Sequence, residues 1–492
     1  MKIHISDRYL WFPVKKDGNE VKLEFFCDGI KIRELDIRLA HGKKDLYTVM
    51  DIKEYAGREV EIKCDPEDED LSGIVCRAEK NDKAYPYRPE IHFTAPAGWI
   101  NDPNGLIYSD GIYHLYHQWN PYGTEWGNMH WGHGISRDLI HWENRPGVME
   151  PDCYGTVYSG CAIKDSENIT GHGRNALLFF YTAAGGMNKW SKECGNTFTQ
   201  RLAVSTDDGE TLEKKELILD NIRGENRDPK IFYHHKSMAF VMVLFLDDNE
   251  FAIFRSEDLI HWDETQRFSA GKMWECPDLF EAAIENDPGK KRWVFWSADG
   301  YYMVGDFDGF KFTPGTDVLS AYDTGLPYAA QTYSGIEDRI ISVAWYRTKS
   351  DEGGFRGMMS LPAELSLLNT KDSCRICFKP VSQLWDNFHL SKQLFPEGRP
   401  VEEKPGGRPV AAVIRWNSAD SGRVKAGDIN IEIDHKGKPA TVIIDHGIVE
   451  YFADDGLVYG AVETEEDVLF KGICTGPGVE SIMLYTPDFA IS

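Results

Sequence analysis

Short β-forming runs, each closed by turn residues, follow one another along this chain and leave little room for helices. Examples are GLIYSDGIYHLYHQ from Gly105, ALLFFYTAA from Ala176, KIFYHHKSMAFVMVLF from Lys230, KRWVFWSA from Lys291 and RIISVAW from Arg339. Runs rich in Val, Ile, Phe, Tyr and Trp, bounded by Gly, Asp and Asn, read as strands, and Ser-Asp-Gly inside the first reads as a hairpin turn. The expected fold class is all-β.

At 492 residues the chain exceeds one module of about 100–200 residues, so several β-domains are expected. SRDLIHW, Ser136 to Trp142, returns 120 residues later as SEDLIHW, Ser256 to Trp262. Propeller blades are four-stranded units of roughly 40–50 residues, so this offset suggests blades recurring two or three units apart. Before residue 85, VKLEFF, IKIRELDIRLA and REVEIKC alternate with period two. That block is expected to bury its apolar face on its own chain. Beyond the Pro- and Gly-rich stretch FPEGRPVEEKPGGRP, Phe395 to Pro409, the alternation of DINIEIDH and PATVIIDHGIVEYF suggests a β-sandwich. The expected domains are 1–85, 86–365 and 366–492.

The formal charge of −25 repels phosphate backbones and anionic lipid, which argues against nucleic-acid and membrane-surface partners and is indifferent to a neutral ligand. The longest apolar run, Met238 to Leu246, is half the roughly 18 residues of a spanning helix. His4, Asp7 and Arg8 interrupt the place where a secretory signal carries its apolar centre. A cytoplasmic chain is expected, or a secreted one where a signal has been removed. The ten cysteines form no framework, and the single CxxC, Cys374 and Cys377, lacks the partners a zinc or redox site needs. His130 and His133 lie three apart in strand-like text, so they face opposite sides and suit no metal.

Three carboxylates stand in unusual local settings. Asp102 lies in GWINDPNG, where Pro103 restricts its backbone and Asn104-Gly105 suggests a turn that holds it at a strand end. Asp228, in ENRDPK, follows Arg227, a neighbouring cation that favours the ionised form. Glu275, in MWECPDLF, sits between Trp274 and Cys276 in apolar text, a setting that keeps a carboxyl protonated as a general acid requires. A retaining glycosidase pairs an ionised nucleophile with a protonated acid, roughly 5–5.5 Å apart. Asp102 and Glu275 suit those two roles.

WINDPNG, RDP and WECPD resemble the three signature motifs of glycoside hydrolase family 32, the β-fructofuranosidases that include invertases, inulinases and levanases, and they stand in that family's order. PYAAQTY, Pro327 to Tyr333, and GMMSLPAEL, Gly357 to Leu365, are similar to further family segments, and the resemblance runs from about Ile91 to the C-terminus. It implies a five-bladed β-propeller with a central funnel, followed by a β-sandwich that contains GIVEYFADDG. The resemblance makes Asp102 the nucleophile, Glu275 the acid/base and Asp228 the transition-state stabiliser, with no cofactor and no metal. It also implies a fructose subsite from Asn101, Gln118, Trp126, Ser159 and Arg227, with Cys276 beside the acid and Tyr158 and Trp345 as aromatic walls.

The activity so implied is exo-acting, retaining release of terminal β-D-fructofuranosyl units from sucrose, fructo-oligosaccharides or fructans. A fructosyltransferase shares the same intermediate and stays open; a non-catalytic fructan-binding protein would need no proton donor. The N-terminal block has no counterpart in the minimal family architecture, and Phe355-Arg356 stands where a Trp often precedes the Gly-Met-Ser-Leu-Pro signature. The preferred fructoside and the oligomeric state, monomer or homo-oligomer, are open at this stage.

Overall fold

The computed structural model describes residues 1–79, 88–351, 353–397, 399–404, 406–417, 421–427, 429–464, 468 and 473–488. Five sheets, each built on four antiparallel strands and three of them carrying a short fifth strand, follow one another as the blades of a propeller. Their first strands are β1 (Gly98–Ser109), β2 (Thr156–Asp165), β3 (Arg227–His234), β4 (Asp278–Ala283) and β5 (Pro327–Thr332). These five strands converge, so that Asp102, Ser159, Asp228, Cys276 and Ala329 line one small pocket. The hairpin expected at Ser109-Asp110-Gly111 joins β1 to Ile112–Asn120, with Asp110 and Gly111 at φ of 50° and 86°, the positive values a tight two-residue turn requires.

The run Met238 to Leu246 falls on Ala239–Asp247, the second strand of blade III. Met242, Leu244 and Leu246 pack towards blade II, while Val241, Val243 and Phe245 pack towards blade IV. A strand buried on both faces has no polar side to show, which is why the run is unbroken. The two heptapeptides form the same turn between the third and fourth strands of blades I and III. Leu139 and Leu259 each donate a backbone N–H to a serine Oγ, from Ser136 and Ser256, at 2.8 Å, and each has a φ near 66°. The offset of 120 residues is therefore two blades. The ring closes where Phe355–Arg356 pairs in parallel with Gly98 and Trp99 of β1.

Ahead of the propeller, a four-stranded and a three-stranded sheet enclose a core of Leu10, Phe12, Leu23, Phe25, Val60 and Ile62. Tyr122 of the propeller completes that core. The expected boundary at 85/86 lies outside the described residues. The second expected boundary, 365/366, falls inside Ala363–Asn369, which pairs with both Ile340–Tyr346 and Cys374–Pro380 in blade V. Blade V thus runs to Pro380 and carries Cys374 and Cys377 on its outer strand. A short helix, Gln383–Asn387, leads into a sandwich of six-stranded and four-stranded sheets.

The sandwich docks on blades IV and V, sharing one apolar core in which the Phe378 ring stacks on Tyr459 at 4.6 Å. Beside it, fully buried His92 lies between two sandwich carboxylates, Nδ1 at 3.0 Å from Asp445 and Nε2 at 3.0 Å from Glu450. Asp445 also accepts backbone N–H bonds from Glu90, Ile91 and His92. Burial opposes the His92 charge, but the two carboxylates outweigh it and raise its pKa from 6.5 to about 9. Burial likewise works against the Asp445 charge, and His92 with the backbone donors holds its pKa below the ordinary 3.8.

Because His92 gains its proton affinity on folding, its stabilisation is complete below pH 6.5 and lost as pH rises through about 9. The Asp445 contribution is present above 3.8 and lost as pH falls below it. Thermal denaturation should therefore show a plateau between about pH 4 and 6.5 and a decline towards pH 9. His92→Ala should remove that decline and cost about 3–5 kcal/mol by leaving two buried carboxylates without their cation.

Candidate active site

Four of the five inner strands break register where they meet. The shifts lie between Ile100 and Pro103 in β1, Val157 and Gly160 in β2, Arg227 and Lys230 in β3, and Tyr328 and Gln331 in β5. A bulge releases residues from the strand's alternation and re-aims them. The released residues are Asn101-Asp102, Tyr158-Ser159, Asp228-Pro229 and Ala329-Ala330. In blade IV the strand begins only at Asp278, and Glu275-Cys276-Pro277 precede it as a loop. Asp228, Glu275, Cys276 and Ala329 have φ of 64°, 34°, 44° and 51°, each costing about 1–3 kcal/mol for a residue other than glycine.

The turn expected at Asn104-Gly105 is instead the interior of β1. Gly105 keeps a positive φ of 52° there, and a Cβ would come within 2.9 Å of the Tyr116 ring and 3.2 Å of Phe179 and Trp131. The motif reads as a turn because bulged strands and turns need the same residues.

The three carboxylates come from blade I, blade III and the loop entering blade IV, and they meet around Cys276. Its backbone N–H donates to Asp228 at 3.0 Å, and its thiol lies 3.5 Å from Asp228 and 3.7 Å from Asp102. Among the described residues Asp102 otherwise accepts from neutral donors, Ser159 Oγ at 2.6 Å and Asn101 Nδ2 at 3.2 Å. Glu275 accepts two bonds from the Arg227 guanidinium, at 2.8 and 3.1 Å, and one from the Tyr328 hydroxyl at 2.5 Å. The apolar setting expected of Glu275 is thus replaced by a cation and a phenol, which arrive from blades III and V and lie far off in sequence.

Burial, then the nearby Glu275, raises the Asp102 pKa. Burial also dominates at Asp228, with Arg227 opposing and the other two carboxylates adding, so its pKa rises to about 7. Arg227 favours the ionised form of Asp228 from 3.8 Å, but its guanidinium donates to Glu275, and burial with the other two carboxylates outweighs it at Asp228. Burial works against the Arg227 charge, but Asp228 and Glu275 prevail and push its pKa up. The Cys276 thiol rises well above its usual value through burial, then through Asp228 and Asp102, and stays protonated as a donor.

The remaining expected residues lie on blades I, II and V. Tyr158 lies edge-on to Trp126 at 6.2 Å and to Phe198 at 5.7 Å. Trp345 lies on the other side of blade I, 5.6 Å from Trp99 and 6.1 Å from Tyr328. Gln118 is buried and donates its amide to the Val157 carbonyl at 2.9 Å, tying blade I to blade II. His133 stacks on Tyr116 at 4.2 Å, while His130 faces Tyr122 at 5.6 Å. Among the described residues no group of three or more His, Cys, Asp or Glu side chains is arranged to hold a metal ion.

Sequence reasoning passed over Tyr328, Thr182, Trp99 and Arg356. Thr182 Oγ1 accepts the Asp228 N–H at 3.0 Å, and Trp99 Nε1 donates to Asn101 at 2.9 Å. Arg356 lies over the Trp99 ring at 5.2 Å and pairs with Glu125 at 2.9 Å. Tyr328 was within reach, since it immediately precedes the bulge inside the PYAAQTY segment.

Carboxylates brought together from separate blades around one small pocket, with a third beside it, are the equipment of a glycoside hydrolase. The glycosyl hydrolases family 32 N-terminal domain matches residues 92–380. The chain belongs to glycoside hydrolase family 32. It is 35% identical over 347 residues to the levanase of Bacillus subtilis, covering 62% of this chain and half of that protein. It is 31% identical over 365 residues to the extracellular exo-inulinase of Aspergillus niger, covering 63% of this chain and 67% of the relative. A family 32 structure from Bifidobacterium adolescentis aligns over 99% of both chains with a TM-score of 0.67 at 19% identity, so the three-part fold is shared.

Because Arg227 lowers the proton affinity of Asp228, its removal should have the opposite sign. Arg227→Gln should move the carboxyl titration near pH 7 upward by about 1–3 pH units, as read by carboxyl NMR of the free protein. A shift to lower pH would contradict the arrangement of charges described.

Proposed function

We propose that this protein is an exo-acting, retaining β-fructofuranosidase. The observation that carries the reading is the meeting of Asp102, Asp228 and Glu275, brought from blade I, blade III and the loop entering blade IV, around Cys276 in a chain of family 32. Asp102, held by Ser159, Asn101 and the Cys276 thiol, is fixed in place without a cation to quench its nucleophilicity. Its oxygen attacks the anomeric carbon of the terminal fructosyl unit as Glu275 passes a proton to the departing glycosidic oxygen. The bond to the leaving group breaks and a fructosyl ester on Asp102 forms. Water, losing its proton to Glu275, then attacks the same carbon and frees Asp102.

Asp228 is the stabiliser in this reading. Anchored by the Cys276 N–H, it holds fructosyl hydroxyls through hydrogen bonds that strengthen as positive charge develops on the ring. Gln118, Trp126, Ser159 and Arg227, read as enclosing one terminal fructosyl unit, support exo action. The names of the relatives, levanase and exo-inulinase, support fructans as substrates. A fructosyltransferase would use the same ester and differ only in the acceptor.

Incubation with sucrose, inulin and levan should release fructose from the first time point. Early mid-length oligosaccharides would overturn exo action, and longer fructans in place of free fructose would establish transfer. Asp102→Asn should reduce kcat by several orders of magnitude. Glu275→Gln should slow sucrose strongly and an activated aryl fructoside least, because a good leaving group needs little protonation. Equal losses on both substrates would reject Glu275 as the acid.

A further inference from the structure

The N-terminal domain meets the propeller beside the candidate active site, at the segment between Asn120 and His130. Tyr122 of that segment is buried in the N-terminal core, its ring 6.1 Å from Phe12. Asn128 exchanges two 2.8 Å hydrogen bonds with the backbone of Asp36. Between these anchors stands Trp126, 51% exposed, the residue that faces Tyr158. Next to Trp126 lies a cavity of about 170 Å³ whose other wall is the N-terminal domain, including Lys16, Glu20 and Arg38.

We propose that this cavity is a sugar subsite shared by the N-terminal domain and the propeller, which takes a unit of the substrate beyond the terminal fructosyl. It rests on the reading of the protein as a fructoside hydrolase. Arg38 and Glu20 bring their charges within 4.0 Å, too far apart for a hydrogen bond, leaving donors and an acceptor side by side. Opposite charges so placed suit a neutral polyhydroxyl ligand, whereas an anion or a cation would meet repulsion from one of them. Trp126 supplies the apolar face on which a sugar ring packs. The volume, well below the roughly 300–1,000 Å³ of a drug-sized pocket, accommodates a single ring.

The ligand is thus the continuing fructan chain, and the domain that precedes the catalytic propeller acts on chain length. Lys16 secures the wall through Asp351 of blade V at 2.7 Å, and Asp351 in turn accepts from Thr124 at 3.0 Å. The N-terminal domain, the Trp126 segment and the loop after Trp345 therefore form one rim.

The test compares kcat/KM for sucrose with that for the fructose-extended tri- and tetrasaccharides. In the unaltered protein it should rise with length. In Arg38→Ala and Glu20→Gln the tetrasaccharide-to-sucrose ratio should fall at least fivefold, through KM, with partial recovery in Arg38→Lys. A ratio equal to that of the unaltered protein would overturn the subsite while leaving the hydrolase reading intact. Calorimetric titration of the tetrasaccharide into Asp102→Asn, with and without Arg38→Ala, separates the two ideas. A fivefold weaker affinity in the double variant supports the subsite even if no fructoside is cleaved, and equal affinities, or no binding to either, reject it.

Discussion

Three carboxylates held around one buried thiol repel one another, and the propeller is built to sustain that repulsion. Asp102, Asp228 and Glu275 each come from a different blade or loop, so no local sequence element has to bear the strain alone. Arg227 neutralises part of the charge, and the protonated Cys276 supplies donors to the two aspartates. Beneath them the buried Lys230 ammonium pairs with Asp278 at 3.2 Å and donates to the Thr332 carbonyl at 2.5 Å, which locks blades III, IV and V together. Apolar clusters between successive blades fix the rest. A rigid frame of this kind keeps charged groups in place when water would otherwise draw them apart, and in the proposed function that preorganisation is the catalytic resource.

Much of this architecture was legible in the sequence because the signals are local. The strand runs, the Ser-Asp-Gly hairpin and the seven-residue turn of Ser136 and Ser256 depend on neighbours a few residues away. The three acidic motifs were legible for the same reason, since each Pro or Gly beside them marks a bulge or positive φ. What escaped was whatever depends on the partner strand. Whether Asn104-Gly105 turns or stays in a strand is decided by the register of β1 against its neighbour. The surroundings of Glu275 are decided by Arg227 and Tyr328, which are 48 and 53 residues away. The end of the propeller was placed too early because the outer strands of blade V, at the edge of the sheet, carry mixed polar text such as Cys374–Pro380.

The two flanking domains are coupled to the propeller in different ways. The sandwich is joined through a shared apolar core and the His92 contacts, remote from the carboxylates. The N-terminal domain is joined through Tyr122, through Asn128, and through Glu34 accepting the Lys189 N–H at 2.8 Å, all on the side that carries Trp126. One flank thus bears on stability, and the other is the one the proposed subsite belongs to. No helix among the described residues is long and apolar enough to cross a membrane.

The central claim is that Asp102 forms a covalent fructosyl intermediate, with Glu275 serving first as acid and then as base. The stereochemistry of the first product tests this most directly, since two displacements restore the starting configuration and one displacement inverts it. Proton NMR of fructose released from a β-fructoside, recorded before the anomers equilibrate, should show the β-furanose form first. Initial appearance of the α-anomer would contradict the account, because Asp102 would then be activating water rather than attacking the sugar.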